Sequence, residues 1–434
     1  MNIHEMKRLV AETVEQYAEQ IWAFGEEALE MPEAGYKEYK SSAHMREAME
    51  KLGLQVENYA MTGLKAKAEG GGEGPCVALI GELDAISCFG HPKGNSETGA
   101  AHACGHNAQQ AAAYGAMLAL VRSGVLEELS GSVALVTTPA EVYGDMEYRM
   151  QLREDGKIRY LGGKQQMVLE GAFDDVDMAM MLHAHPNMPQ VGLNLDGSSL
   201  GFVAKTVEFH GKASHGSMPF EGINALNAAM LGLMVIHANR ETFRDEDQVR
   251  IHPIITNGGS IVNSVPDYVR IETYVRGQRA QAIDEACEVV DRSMKGAAMS
   301  IGAEAKITTI PGYLPLQQNL EMGRLMEKNA TALWGEGSTH RGVPTTGSTD
   351  IGDLSQLMPC IQPTCGGYDG ALHSKEFHIT DPKIAYVDGA KLLAMTVVDL
   401  LAENAAAGRQ IVNEFKPVFT KDTYLEFLQN KFEM

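Results

Sequence analysis

The chain has 434 residues, 44% hydrophobic and 21% charged, proportions of a globular protein too long for one simple core, so two domains are expected. Its 57 acidic side chains against 36 basic ones give a formal net charge of −21, and a field of that sign repels phosphate, which argues against nucleic acid or an anionic membrane as partner. No apolar run approaches the roughly 20 residues that span a bilayer. Six cysteines (Cys76, Cys88, Cys104, Cys287, Cys360 and Cys365) show no disulfide-framework spacing. The N-terminus reads as an amphipathic helix rather than a secretory signal, so a reducing cytoplasm is the expected location.

In chain order, residues 5–30 carry apolar positions at helical spacing, and a second helix is expected from Ser41 to Leu54, closing near Gly53. VALIGELDA at 77–85 is a short apolar run ending in carboxylates, a buried strand with a functional C-terminal end. Residues 108–123 are Ala- and Leu-rich and helical. SVALVTTPAE at 132–141 and DDVDMAMMLHAHP at 174–186 read as further buried strands. Strands alternating with helices predict an α/β sheet with sites at the strand C-termini.

Near residue 200 the pattern changes. Val203, Lys205, Val207 and Phe209 alternate with Ala204, Thr206, Glu208 and His210, as in a sheet with one solvated face. A helix over 222–238, two strand-like stretches, a long helix over 280–301 and a strand at AKITTI complete a β-α-β-β-α-β order, the ferredoxin-like pattern. From about 313 the α/β character returns, with helices near 318–334 and 385–401 and a polar, docked tail. The expected fold is therefore α/β: a mixed sheet flanked by helices (1–198 and 313–434), interrupted by a smaller ferredoxin-like α+β lid at 199–312.

Chemistry concentrates at Gly-Ala-Ala-His-Ala-Cys-Gly-His-Asn, residues 99–107. His102, Cys104 and His106 alternate, so an extended segment would present all three on one face. A thiolate beside imidazoles suits a borderline-soft metal such as zinc, and Gly99 and Gly105 permit a tight loop. The run follows Gly-Glu-Leu-Asp-Ala at 81–85 and precedes Thr-Pro-Ala-Glu at 138–141. Further along stand His183 and His185, Gly-Lys-Ala-Ser-His-Gly-Ser at 211–217, Asn263 in GGSIVNSVP, GSTDIGD at 347–353 and His373 in ALHSKEF.

These ordered motifs resemble the two-domain metallo-amidohydrolases and aminoacylases of the carboxypeptidase type, to about residue 400. Asn107, the Gly-Glu-Leu-Asp start and GGKQQMVLEGAFDDVD at 162–177 bring the chain nearest to the branch of p-aminobenzoyl-glutamate hydrolases and basic-dipeptide dipeptidases, with auxin-conjugate hydrolases as relations. The resemblance implies one or two zinc or manganese ions held by Cys104, His106, His183 and His373, with Cys104 as the bridge. It implies Asp84 as buttress of a ligand histidine, Glu141 as general base, His215 as the group that polarises the substrate carbonyl, and Asn263 as a further polar contact. A homodimer is implied, because His215 can reach the site from a partner subunit. The implied substrate is an N-acyl amino acid, an aminobenzoyl-glutamate-like conjugate or a dipeptide. His102 is expected to orient a ligand, and Glu82 carries no assigned role.

One departure matters. Val142 stands where the family places a second, metal-ligating glutamate. Either Asp145 or Glu147 substitutes, or the second ion is weak or missing; in the latter case a non-catalytic binding homologue is the rival reading. A cysteine hydrolase using Cys104 without metal is a third. Arg270 and Arg276 are candidate cations for a glutamate conjugate, whereas the net charge favours neutral or basic substrates.

Overall fold

A computed structural model describes every residue except 187, 189–191, 343, 344 and 434. The chain forms two compact units, the first made of Met1–Ser198, Gln317–Pro344 and Asp353–Val418, the second of Ser199–Leu316, Thr345–Gly352 and Phe419–Met434.

In the first unit, helices α1 (Ile3–Gln16), α2 (Ala18–Leu29) and α3 (Tyr39–Lys51) precede strands β1 (Val56–Tyr59), β2 (Gly63–Glu69) and β3 (Gly72–Glu82). Helix α4 (His106–Arg122), β4 (Ser130–Thr138), α5 (Met146–Glu154), α6 (Gly163–Glu170) and β5 (Met178–Met180) follow. The sheet runs β1-β2-β4-β3-β5 and ends on the two-residue strand Cys360–Ile361. It is mixed: β4, β3, β5 and Cys360–Ile361 are parallel, whereas β1 and β2 pair antiparallel. β3 is buried on both faces from Pro75 to Glu82, which is why VALI reads as a continuous apolar run rather than an alternating one. Helix α4 is buried all round, and its alanines let it lie close to the sheet. At Gly81 a Cβ would stand 3.1 Å from the Cα of Gln110, so a larger residue would push the end of β3 and α4 a few tenths of an ångström apart. That contact brings the C-terminal edge of the parallel strands against the start of α4.

In the second unit, β6 (Gly201–His210), α7 (Ala225–Asn239), β7 (Arg250–Asn257), β8 (Tyr268–Gly277), α8 (Ala280–Ile301) and β9 (Glu304–Pro311) form an antiparallel sheet of order β7-β8-β6-β9 with two helices. This is the ferredoxin-like arrangement expected from the sequence. Val207, Phe209, Val269, Ile271 and Val275 pack with Ala228, Ala229, Ile236, Val290 and Met294. The alternation also carries Lys205 onto this covered face. Its Nζ is 2.8 Å from Asp291 Oδ1 and donates to Thr309 Oγ1 at 2.9 Å.

All six cysteines are free and buried. Among the described residues no helix is long and apolar enough to cross a membrane.

The Lys205–Asp291 pair yields an asymmetric expectation. Asp291→Ala strands a buried ammonium and is expected to destabilise the protein by about 3 kcal/mol. Lys205→Met leaves only a partly solvated carboxylate and is expected to cost less than about half of that. Urea unfolding of both variants, followed by tryptophan fluorescence and circular dichroism, checks the ranking.

Candidate metal centre

The site grows from the end of β3. Glu82 is its last residue and fully buried. Oε1 of Glu82 accepts from Lys164 Nζ on α6 at 2.6 Å, and Oε2 accepts from Gln109 Nε2 on α4 at 3.0 Å. Two residues on, the carbonyl oxygen of Asp84 takes the Nδ1–H of His106 at 2.7 Å, with Asp84 Oδ1 3.3 Å from the same nitrogen. This fixes the tautomer of the neutral ring, whose lone pair is then on Nε2. Nε2 is buried and makes no aligned hydrogen bond. Glu82 Oε2 lies 3.1 Å from it and Glu141 Oε2 3.8 Å.

The motif at 99–107 departs from the extended geometry expected of it. Only Ala100–Ala101 is strand; Gly105 takes φ +82°, and His106 opens α4. The turn separates the three side chains that alternation would have aligned. Cys104 and His106 face the site, whereas His102 is buried outside the ligand groups. Burial, reinforced by the neighbouring His106, lowers the His102 pKa to about 3, so it is a neutral core imidazole at physiological pH.

Two more segments close on the thiol. His183 Nε2 and His373 Nε2 each stand 3.4 Å from Cys104 Sγ. The Nδ1 of His183 is engaged by the Ala184 carbonyl at 3.0 Å, so its other nitrogen faces the sulfur. His373 adopts φ +64°, and its N–H donates to the Ala103 carbonyl at 2.8 Å; left-handed backbone at a non-glycine residue is strain of the kind held at functional sites. His185 turns instead to the carbonyl of Pro186.

Ligand atoms of Cys104, His106 and His183 lie within 4.8 Å of one another, and so do those of Glu82, His106 and Glu141. Burial alone would push the Cys104 thiol up, yet the His183 and His106 imidazoles hold it well below the usual thiol range. Burial alone would push His106 down, yet Glu82 and Cys104 hold it well above the usual histidine range. A buried cluster whose anions retain protons on adjacent imidazoles is electrostatically matched to a cation, and sulfur with imidazole is the donor set of zinc-like ions.

At position 142 the side chain is apolar, but the backbone takes part in the site through its N–H, which donates to Asp84 Oδ2 at 2.8 Å. Neither carboxylate expected as a substitute is in a ligand group among the described residues. Asp145 is exposed and paired with Lys37 at 2.7 Å, and Glu147 is exposed. The carboxylate that does join His106 is Glu82, together with its counter-ion Lys164. The sequence signal for both was present in the Gly-Glu-Leu-Asp and Gly-Gly-Lys segments, but their pairing across 82 residues was not.

In the second unit His215 and Asn263 are neighbours: His215 Nε2 is 3.2 Å from Asn263 Nδ2, and the Gly216 N–H donates to the Asn263 carbonyl at 2.9 Å. Arg276 lies over the rings of Phe202 and Tyr274 and donates to Ser348 Oγ. Arg270 is paired with Glu272 at 3.1 Å.

Comparison with known proteins places this arrangement. The chain is 27% identical over 424 residues to the Xaa-Arg dipeptidase of Mus musculus, covering 92% of this chain and 90% of that protein. It is 28% identical over 254 residues to the N-acetyl-L-cysteine deacetylase of Bacillus subtilis, covering 56% of each. A solved Bacillus subtilis structure, a dinuclear metal binding peptidase from the M20 family, superposes with a TM-score of 0.69 at 21% identity, over 89% of this chain and 99% of that one. The profile of peptidase family M20/M25/M40 matches residues 78–399. The chain belongs to peptidase family M20/M25/M40.

Proposed function

We propose that this chain is a metal-dependent hydrolase of the amide bond in a dipeptide or N-acyl amino acid, with Glu141 as general base. The observation that carries the reading is the convergence of Cys104, His106 and His183 on one buried point with Glu141 beside it. A divalent ion held there, zinc or manganese, supplies Lewis acidity to the attacking water and the scissile carbonyl. Cys104, His106, His183 and His373 would hold the ion. Asp84 keeps the His106 lone pair outward. Glu141 takes a proton from the attacking water and returns it to the leaving nitrogen. His215 is the proposed donor to the developing oxyanion, supplied from a partner subunit.

His106 has one ring nitrogen to give, because Nδ1 is engaged by Asp84. It cannot complete both ligand groups at once, and Glu82 is already neutralised by Lys164. We therefore assign one tightly held ion to the Cys104 group and a weak second position, the consequence of Val142. The Xaa-Arg dipeptidase name of one relative, with this chain's negative charge, favours neutral or basic substrates. The free cysteines suit a reducing cytoplasm.

A homodimer through the second unit is also proposed. β7 is the sheet edge, with Ile254 52% and Ile255 42% exposed, and α7 exposes Met230 and Met234 at 52% and 66%. An open, apolar edge of this kind invites pairing.

Three outcomes are expected. Metal analysis by plasma mass spectrometry gives about one ion per chain, rising to about two in Val142→Glu and falling to a small fraction in Cys104→Ala. Glu141→Gln retains that metal while kcat on the best of Ala-Arg, N-acetyl-L-cysteine and p-aminobenzoyl-glutamate falls about 1,000-fold. Light scattering finds two chains per particle, and Ile254→Lys with Met234→Lys shifts the protein to single chains.

A further inference from the structure

Glu141 is a single residue on a loop, yet proton transfer demands its placement to a fraction of an ångström. The preceding residue, Ala140, takes φ +56°, a left-handed backbone that alanine does not adopt without support. That support comes from two buried polar side chains outside both ligand groups. Glu38, the residue before α3, is fully buried. Its Oε1 accepts the Ala140 N–H at 2.8 Å, while its Oε2 accepts from Thr62 Oγ1 at 2.7 Å. Arg149, on the first turns of α5 and 1% exposed, reaches back to the same loop. Its Nη1 donates to the Ala140 carbonyl at 3.2 Å and to the Leu161 carbonyl at 2.8 Å, and its Nη2 donates to the Val142 carbonyl at 2.6 Å. The guanidinium also lies over the rings of Tyr36 and Tyr143. Gly35 lets the chain pass directly beneath: a Cβ there would collide with Arg149 Nη2 and the Ala140 Cα.

We propose that Glu38 and Arg149 are positioning residues for the reaction, a bracket that grips the backbone on both sides of Glu141 and aims its carboxylate. The bracket rests on the reading of Glu141 as general base. It differs from ordinary loop packing in its polarity. A guanidinium gathering three carbonyls and a buried carboxyl oxygen taking one strained N–H fix direction as well as position, because hydrogen bonds are angle-dependent and those from the charged Arg149 are strong. A methyl or methylene in their place would fill the volume and leave the loop free to relax its φ.

The test is a pair of double-mutant cycles, Arg149→Met and Glu38→Gln, each with Glu141→Gln, using the most rapidly hydrolysed of Ala-Arg and N-acetyl-L-cysteine. Arg149→Met is expected to lower kcat about 100-fold, the scale of an ångström of misplacement, and Glu38→Gln about 10-fold. KM and bound metal stay within about twofold of the parent in both. In the Glu141→Gln background the same substitutions change residual kcat by less than about threefold, because the group they aim is gone. Independently of turnover, amide hydrogen exchange of the peptide spanning 139–143 accelerates at least about tenfold in Arg149→Met.

A full-sized loss in the Glu141→Gln background, an unchanged kcat in both single variants, or unaltered exchange in this peptide overturns the bracket. A Glu141→Gln protein as active as the parent overturns the base assignment instead, and the two failures are thereby distinct. Should Arg149→Met lose its metal and its circular dichroism signal, Glu38→Gln carries both the cycle and the exchange measurement.

Discussion

The bond from His106 Nδ1–H to the Asp84 carbonyl, 2.7 Å long, is the constraint on which the first unit's site depends. An imidazole offers a metal one lone pair only if its other nitrogen keeps the proton, and a carbonyl oxygen is an acceptor that cannot ionise or swap roles. Because β3 runs into Asp84 and α4 starts at His106, the bond also ties the end of the central strand to the start of the central helix. A shift of either element would turn the ring. The candidate site therefore inherits its accuracy from the most buried part of the fold, not from the loop that carries Cys104.

Charge in this unit is handled by burial in matched sets. Glu82 is fully buried and meets Lys164, which is also buried. Such a pair adds little net stability, since desolvation offsets most of the attraction, but removing either partner strands the other. It makes the geometry hard to change by single steps. Arg149 is buried as well, and its guanidinium donates to three backbone carbonyls. Through Val142, whose N–H meets Asp84 and whose carbonyl meets Arg149, a residue unable to bind metal still belongs to the framework.

Much of the fold was legible along the chain. The apolar run before Gly-Glu-Leu-Asp marks a strand buried on both faces, and the alternation from Val203 to Phe209 marks one covered on a single side. Periods of that kind survive because side-chain direction follows backbone geometry locally. Alternation failed at His102, Cys104 and His106 for an equally local reason: Gly105 at φ +82° breaks the extended backbone, and the helix begins one residue later. Lys205 shows the opposite case, a polar residue correctly placed on a face by period two and kept there by partners on α8 and β9.

By itself the sequence determined the element types, the ferredoxin-like order of the second unit, and the segments from which thiol, imidazole and carboxylate would come, because each is encoded by residues within a turn or strand of one another. Only the tertiary structure decided which of those groups meet. Glu82 joins His106 and Lys164, whereas Asp145 turns to Lys37 and His102 is sealed in the core. Glu38 and Arg149 hold the loop of Glu141 from elements on either side of it in the chain. Such encounters depend on how strand ends and helix starts are packed, and packing is a property of contacts between distant residues that no local period records.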